Sequence, residues 1–359
     1  MRPALSGERM MKQFAFGHMA RALAATTMLA TPLALLAAPA MAQDKQVNLK
    51  ISLWVPAQHP LFPAYQAWGE SIEKASGGSI KTTMFPAEQL GKAFDHYDMA
   101  KDGIADVVYV NPGYQPGRFP VIAAGQIPLT FSDGRKGTAA LDAWYRKYAA
   151  AEMKDTKYCF SYIHSPGSLH SAKKVTTPAD LKGMKVRPAQ STIGELVSRS
   201  GGANVQASAP EARDMLERGV ADAIFFPWGS MFLFGIEKTI KYSIDEPLYA
   251  TVFTTNINPR VYNQMSDAQK KVIDDHCTTE WAEKVAGPWS DFEAAGVDKM
   301  KALANHEVYK LTPEQIGAWK ASVADLRKSW AEGVTKAGVD ANAAMGDLEA
   351  SLKKYGAGY

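Results

Sequence analysis

The chemistry this sequence offers is recognition, and it centres on an arginine. Arg187 ends the short run Lys185-Val186-Arg187, which stops at Pro188 and precedes a helical segment over about 191–199. A strand end facing a helix start is where α/β proteins place ligands. An arginine there presents a planar fork of donors that matches a carboxylate. Taken alone, Arg187 reads more readily as a surface or ion-paired residue, since most arginines are that. Other ligand-capable side chains stand just past strand-like runs: Trp54, Asn111, Tyr114, Phe226 and Trp228. Their shared position predicts a binding cleft walled by aromatic and amide groups. Catalytic machinery is missing from the pattern. No Walker loop, dinucleotide fingerprint, zinc motif or nucleophile elbow occurs, and Gly201-Gly202 is a lone turn. His59, His164 and His170 are scattered without metal-ligand spacing and read as ordinary loop or strand histidines. No catalytic residue, metal site or cofactor is expected.

The elements that must position these residues follow from periodicity and caps. Alternation over 47–55 predicts a strand, followed by a helix over 62–75, a strand over 80–85, a helix over 94–101 and an apolar strand over 105–110. That β-α-β-α-β order begins a mostly parallel sheet. A helix is expected over 134–153 and a strand over 157–164. Thr177-Pro178-Ala179-Asp180 reads as a capped turn, with Pro178 at the first helical position. Ser208 and Glu211 form a capping-box pattern for a helix to Arg218, and 222–227 and 249–257 read as strands. Ser266 and Gln269 predict a long helix towards Val285, with Cys277 on its apolar face. Thr312 and Gln315 cap a helix whose Ile316, Trp319, Val323, Leu326 and Trp330 form a core-facing stripe. No internal repeat or charge block is evident.

The chain has 359 residues. Its start reads as a secretory signal peptide over 1–42. Arg2, Arg9, Lys12 and Arg21 precede an apolar run, and Ala40-Met41-Ala42 offers a cleavage site. A membrane anchor is the alternative, though the run is short for a span. Met10 or Met11 could be the true start. The leader holds four of the 40 basic residues and one of the 37 acidic ones, so the remainder carries 36 of each. No basic patch argues for nucleic acid or an anionic membrane surface as partner. A chain of this length usually forms two domains or lobes. Cys159 and Cys277 are the two cysteines. Export would permit one disulfide, and two buried thiols are the other option.

Several segments in order resemble the periplasmic solute-binding proteins of tripartite ATP-independent periplasmic (TRAP) transporters, the DctP-like family. They are Phe85-Pro86-Ala87-Glu88-Gln89-Leu90-Gly91, Gly103-Ile104-Ala105-Asp106, the stretch from Thr177 to Arg187, Glu211 through Gly219-Val220-Ala221-Asp222, and Asn258 in Ile257-Asn258-Pro259-Arg260. The resemblance implies a two-lobed periplasmic binding protein fold of the α/β class. Its sheets would be mostly parallel and flanked by helices, with a long helix linking both lobes. Lobe I would cover 43–164 with part of 252–290, and lobe II 165–251 with part of 291–359. The ligand would sit between lobes that close on it, and small and large membrane permease subunits would receive it. The resemblance places a substrate carboxylate on Arg187 and ligand contacts at Trp54, Asn111, Gln190 and Phe226, with Asn258 added to the set. Members that bind acidic sugars or dicarboxylates often carry a second arginine where this chain has Gly167. One clamp and aromatic walls would suit an organic monocarboxylate with an apolar or aromatic body. His164, His170 or Arg213 could still supply a second positive group. The alternatives are a binding protein of an ATP-driven or tripartite tricarboxylate system, and an exported enzyme.

Overall fold

Three parallel strands arise where alternating and apolar runs were expected. β1 (Val47–Ser52) lies between β2 (Ile80–Phe85) and β3 (Val107–Val110), with Val47 opposite Ile80 and Ile51 opposite Val107. The computed structural model describes residues 44–359, which form one compact unit. The expected leader lies outside the described residues. The other strands are β4 (Lys157–Ile163), β5 (Ser168–Ser171), β6 (Lys185–Arg187), β7 (Ala203–Asn204), β8 (Ala223–Phe226), β9 (Tyr242–Ile244), β10 (Val252–Ile257) and β11 (Glu307–Tyr309). They form two sheets, ordered β2-β1-β3-β10-β4 and β11-β9-β5-β8-β6-β7. Each sheet contains one strand antiparallel to both neighbours, β10 in the first and β5 in the second. Helices flank both sheets, so the fold is α/β with two lobes.

The antiparallel strands mark where the chain crosses between lobes. β4 of the first sheet runs through 164–167 into β5 of the second. The chain returns through 245–251 into β10. These crossings are bridged to each other. Gly167 N–H donates to Tyr249 O at 2.8 Å, Tyr249 N–H to Gly167 O at 3.4 Å, and Thr251 N–H to His164 Nε2 at 3.1 Å. A helix of 23 residues, Thr279–Lys301, packs against both lobes and links them. The helix Pro313–Lys336 does so as well. Its expected stripe is buried at Trp319, Val323, Leu326 and Trp330. Trp319 and Leu326 join the second lobe's core, and Val323 and Trp330 join a cluster of the first. Among the described residues no helix is long and apolar enough to cross a membrane.

A short repeat appears that the sequence reading did not find. Gly103-Ile104-Ala105-Asp106 leads into β3, and Gly219-Val220-Ala221-Asp222 leads into β8. Both glycines have positive φ, +84° and +65°, which ends the preceding helix as only glycine does at little cost. Each aspartate then clamps its neighbouring strand. Asp106 accepts from Lys50 N–H at 2.9 Å and donates its own N–H to Lys50 O at 2.9 Å. Asp222 does the same with Lys185, at 2.9 and 2.7 Å. The two lysine ammonium groups reach back to the carbonyls of Ile104 and Gly219.

Three expected helices are shorter or broken, the first two where distant groups meet. The helix from Gly134 ends at Tyr145, and 149–152 forms a separate turn. Arg146 folds inward there, donating to Asp142 and to the carbonyls of Cys277 and Cys159. The expected long helix after Ser266 is two helices, Asp267–Asp275 and Thr279–Lys301, the second capped by Thr278. Cys277 lies in the turn between them, not on a helical face. It is disulfide-bonded to Cys159 of β4. Ser208 and Glu211 make only half a capping box. Glu211 accepts from Ser208 N–H and Oγ–H, and the helix begins at Ala212.

Candidate functional site

The strand ends converge as the sequence suggested. Trp54 follows β1, Asn111 and Tyr114 follow β3, Arg187 ends β6 and Phe226 ends β8. All five line one cavity between the two sheets. The antiparallel strand β10 presents its beginning there, with Tyr249 and Thr251 just before it and Phe253 within it. His59, His164, Ser230, Phe234 and Trp289 complete most of the wall.

Arg187 is buried, with 1% of its surface exposed. Nε donates to Ala207 O at 3.0 Å, Nη1 to Phe225 O at 3.3 Å and Nη2 to Tyr114 Oη at 3.2 Å. Its Cζ stands 5.5 Å from the centre of the Phe226 ring. These partners fix the guanidinium plane and leave one N–H on each terminal nitrogen. Among the described residues no carboxylate forms an ion pair with it. Glu211 is near enough to feel its charge, yet that carboxylate is spent on Ser208. A buried cation without a counter-ion is costly unless an anion joins it.

Tyr114 and Asn111 tie the lobes together around this group. Tyr114 Oη also accepts from Ala209 N–H at 3.0 Å. Asn111 Nδ2 donates to Ala189 O at 3.3 Å, and its Oδ1 accepts from Gly113 N–H at 3.0 Å. The remaining wall is aromatic. Trp54 stacks on Tyr109 at 4.6 Å, and Trp289 lies against Phe253 at 5.1 Å and His59 at 5.0 Å.

His164, His170 and Arg213 do not supply a second cation to the cavity. His164 donates from Nδ1 to Ser165 O and accepts at Nε2 from Thr251, so both nitrogens are engaged in the neutral form. Burial lowers its pKa to about 4. His170 is likewise engaged, by Ser243 and Phe226 O, and burial lowers it to about 3. Arg213 is exposed and paired with Glu217.

Three expected site residues stand outside the cavity wall. Gln190 caps the helix Ser191–Arg199 through Ile193 N–H, and its Nε2 donates to Gln126 O, each at 3.0 Å. Trp228 turns away to pack edge-on against His170 at 4.8 Å. Asn258 lies past the far end of β10, where it caps the helix Pro259–Gln264 through Arg260 N–H. Conversely, Tyr249, Thr251, Phe253 and Trp289 line the wall without having been expected. Tyr249 and Phe253 sat within an expected strand, but only its antiparallel direction turns their end to the cleft. Trp289 lies in a helix interior, where apolar spacing reads as core.

Paired crossings, a linking helix and an interlobe cavity around an arginine define a solute-binding protein. The chain belongs to the bacterial extracellular solute-binding protein family 7, DctP, whose model matches residues 51–333. Solved TRAP solute-binding proteins share the fold. One from Rhodoferax ferrireducens, in complex with copurified benzoate, is 26% identical, covers 87% of this chain and 99% of its own, and has a TM-score of 0.80. One from a marine metagenome, specific for aromatic acid ligands and complexed with 3-hydroxybenzoate, is 29% identical, with 87% and 99% covered and a TM-score of 0.79. A third, from Bordetella bronchiseptica with bound mandelate, is 26% identical, with 86% and 99% covered and a TM-score of 0.80. The chain spans about half the length of the first curated relatives it matches.

Proposed function

We propose that this chain is the extracytoplasmic binding subunit of a TRAP-type transporter and that it captures an aromatic or apolar monocarboxylate. The observation that carries this reading is Arg187: buried, held by neutral partners, without an acidic partner among the described residues, and facing an aromatic cavity. Its two spare N–H groups suit the two oxygens of one carboxylate. The cavity offers the ligand's body ring faces and aliphatic carbons, not charge. The benzoate, hydroxybenzoate and mandelate complexes of the related proteins support the same class. Closure would turn about the paired crossings at 164–167 and 249–251. A leader over 1–42 would deliver the chain to the periplasm, and small and large membrane subunits would receive the ligand.

A thermal-shift panel of aromatic, branched and dicarboxylic acids tests this, with Arg187→Ala as control. Ligand at a hundred times its Kd adds about 2.7 kcal/mol of stability. We expect a clear shift with aromatic monocarboxylates that is lost in Arg187→Ala, which should cost about 2–5 kcal/mol of binding. Shifts with succinate or malate alone would overturn the ligand class.

A further inference from the structure

We propose that Tyr249 donates the second hydrogen bond to the ligand's carboxylate, beside Arg187; the inference rests on the aromatic-monocarboxylate reading above and deepens it. Tyr249 is buried, 1% exposed, and its ring lines the cavity. Its Oη has no hydrogen-bond partner among the described residues. A buried hydroxyl left unpaired in a protein usually waits for a partner. The phenol is also held in place. Its backbone is bonded both ways to Gly167, and its ring meets His164 at 5.4 Å and Phe225 at 5.7 Å, both nearly edge-on.

Room for that ring comes from Gly167. A Cβ there would stand 2.8 Å from Tyr249 Cε1 and 2.7 Å from Phe226 O. The crossing thus lacks a side chain at the place where the phenol packs, beside the strand whose Phe226 lies under Arg187. Burial keeps the phenol protonated, and Arg187 is the charge that acts on it most strongly. A protonated phenol beside a cation can offer an anion a hydrogen bond without adding a second charge. An ionised carboxylate has about four acceptor positions, so the arginine's two N–H groups leave space for this donor.

The test is calorimetric titration of the wild type and Tyr249→Phe with benzoate and 3-hydroxybenzoate, together with thermal unfolding without ligand. We expect the variant to bind both acids about tenfold or more weakly, by the same factor. Its unliganded midpoint should be unchanged or higher, because the hydroxyl has no protein partner to lose. Equal affinities would overturn the proposal. A loss confined to 3-hydroxybenzoate would overturn it by placing the phenol on the ring substituent. A lower unliganded midpoint would overturn it by giving the hydroxyl a structural bond. If the wild type bound no monocarboxylate, the proposed function would fail before the variant was measured.

Discussion

A guanidinium with three neutral acceptors and no acid differs from the ion-paired arginines on this protein's surface, such as Arg135 with Asp291. Surface pairs contribute little. The buried fork is worth more because its geometry is already set when the ligand arrives. Arg187→Lys separates charge from geometry. The ammonium keeps the charge but cannot hold Ala207 O and Phe225 O while offering two parallel donors. We expect affinity for benzoate to fall by at least about tenfold in Arg187→Lys, read by calorimetry; unchanged affinity would mean that charge alone recruits the ligand. The residues legible in sequence were those just past parallel strands, since a short apolar run fixes which end points to the cleft. Gln190 and Asn258, which the resemblance put in the contact set, serve as helix caps here, and caps and ligand contacts draw on the same polar residue types. Tyr249 was not legible because the antiparallel direction of the strand it leads into, and the room that Gly167 leaves for its ring, depend on residues far away in the chain.

The repeated glycine–aspartate unit shows how the elements are tied. In each lobe a helix ends on a left-handed glycine, and the following aspartate accepts from the backbone of the neighbouring strand. The two copies differ in burial: Asp106 is buried, whereas Asp222 is half-exposed. Asp106→Ala leaves Lys50 N–H without an acceptor in a place water reaches poorly, at a cost of about 1–3 kcal/mol. At Asp222→Ala water can replace the carboxylate, so the loss should be smaller. Chemical denaturation of the two variants checks this order, and equal losses would refute it. Local signals carried most of the fold. The caps at Thr177, Ser266 and Thr312 form as their spacing implied, each closed by its own third helical residue. The breaks at 146–148 and 276–278 were not legible, because distant groups meet there: Arg146, the carbonyl groups of Cys159 and Cys277, and the disulfide. β5, β7, β9 and β11 escaped notice since strands of two to four residues carry little periodicity, whereas the equally short β6 is framed by a capped turn and Pro188.

At the scale of the molecule, buried titratable groups set opposing responses to pH. Burial lowers His59 and His170 to about 3 and His96 and His164 to about 4, from an ordinary 6.5. The unfolded chain binds these protons and the folded chain does not. Stability from this source is complete above 6.5 and falls as the solution is acidified towards the folded values. Glu293 works the other way. It lies on the linking helix and accepts from Trp289 Nε1 at 2.6 Å, from Ser230 N–H at 3.0 Å and from Ser230 Oγ–H. Burial nevertheless raises it from 4.5 to about 7. The folded chain therefore holds a proton that the unfolded chain has released, and that contribution, full below 4.5, is lost as pH rises towards 7. Between these limits the carboxyl offsets one histidine's worth of acid destabilisation. Glu293→Gln removes the offset while keeping the shape. Replacing the carboxylate beside several donors shifts stability by a constant, so the slope is the informative quantity. From about pH 6.5 down to about pH 5, the unliganded variant should lose stability more steeply than the wild type, by about 1.4 kcal/mol per pH unit. Urea unfolding across that range measures both slopes. Parallel profiles would mean that Glu293 is ionised throughout, with its donors outweighing burial. The carboxyl would then hold Ser230 and Trp289, two residues of the cavity wall, as a fixed anion.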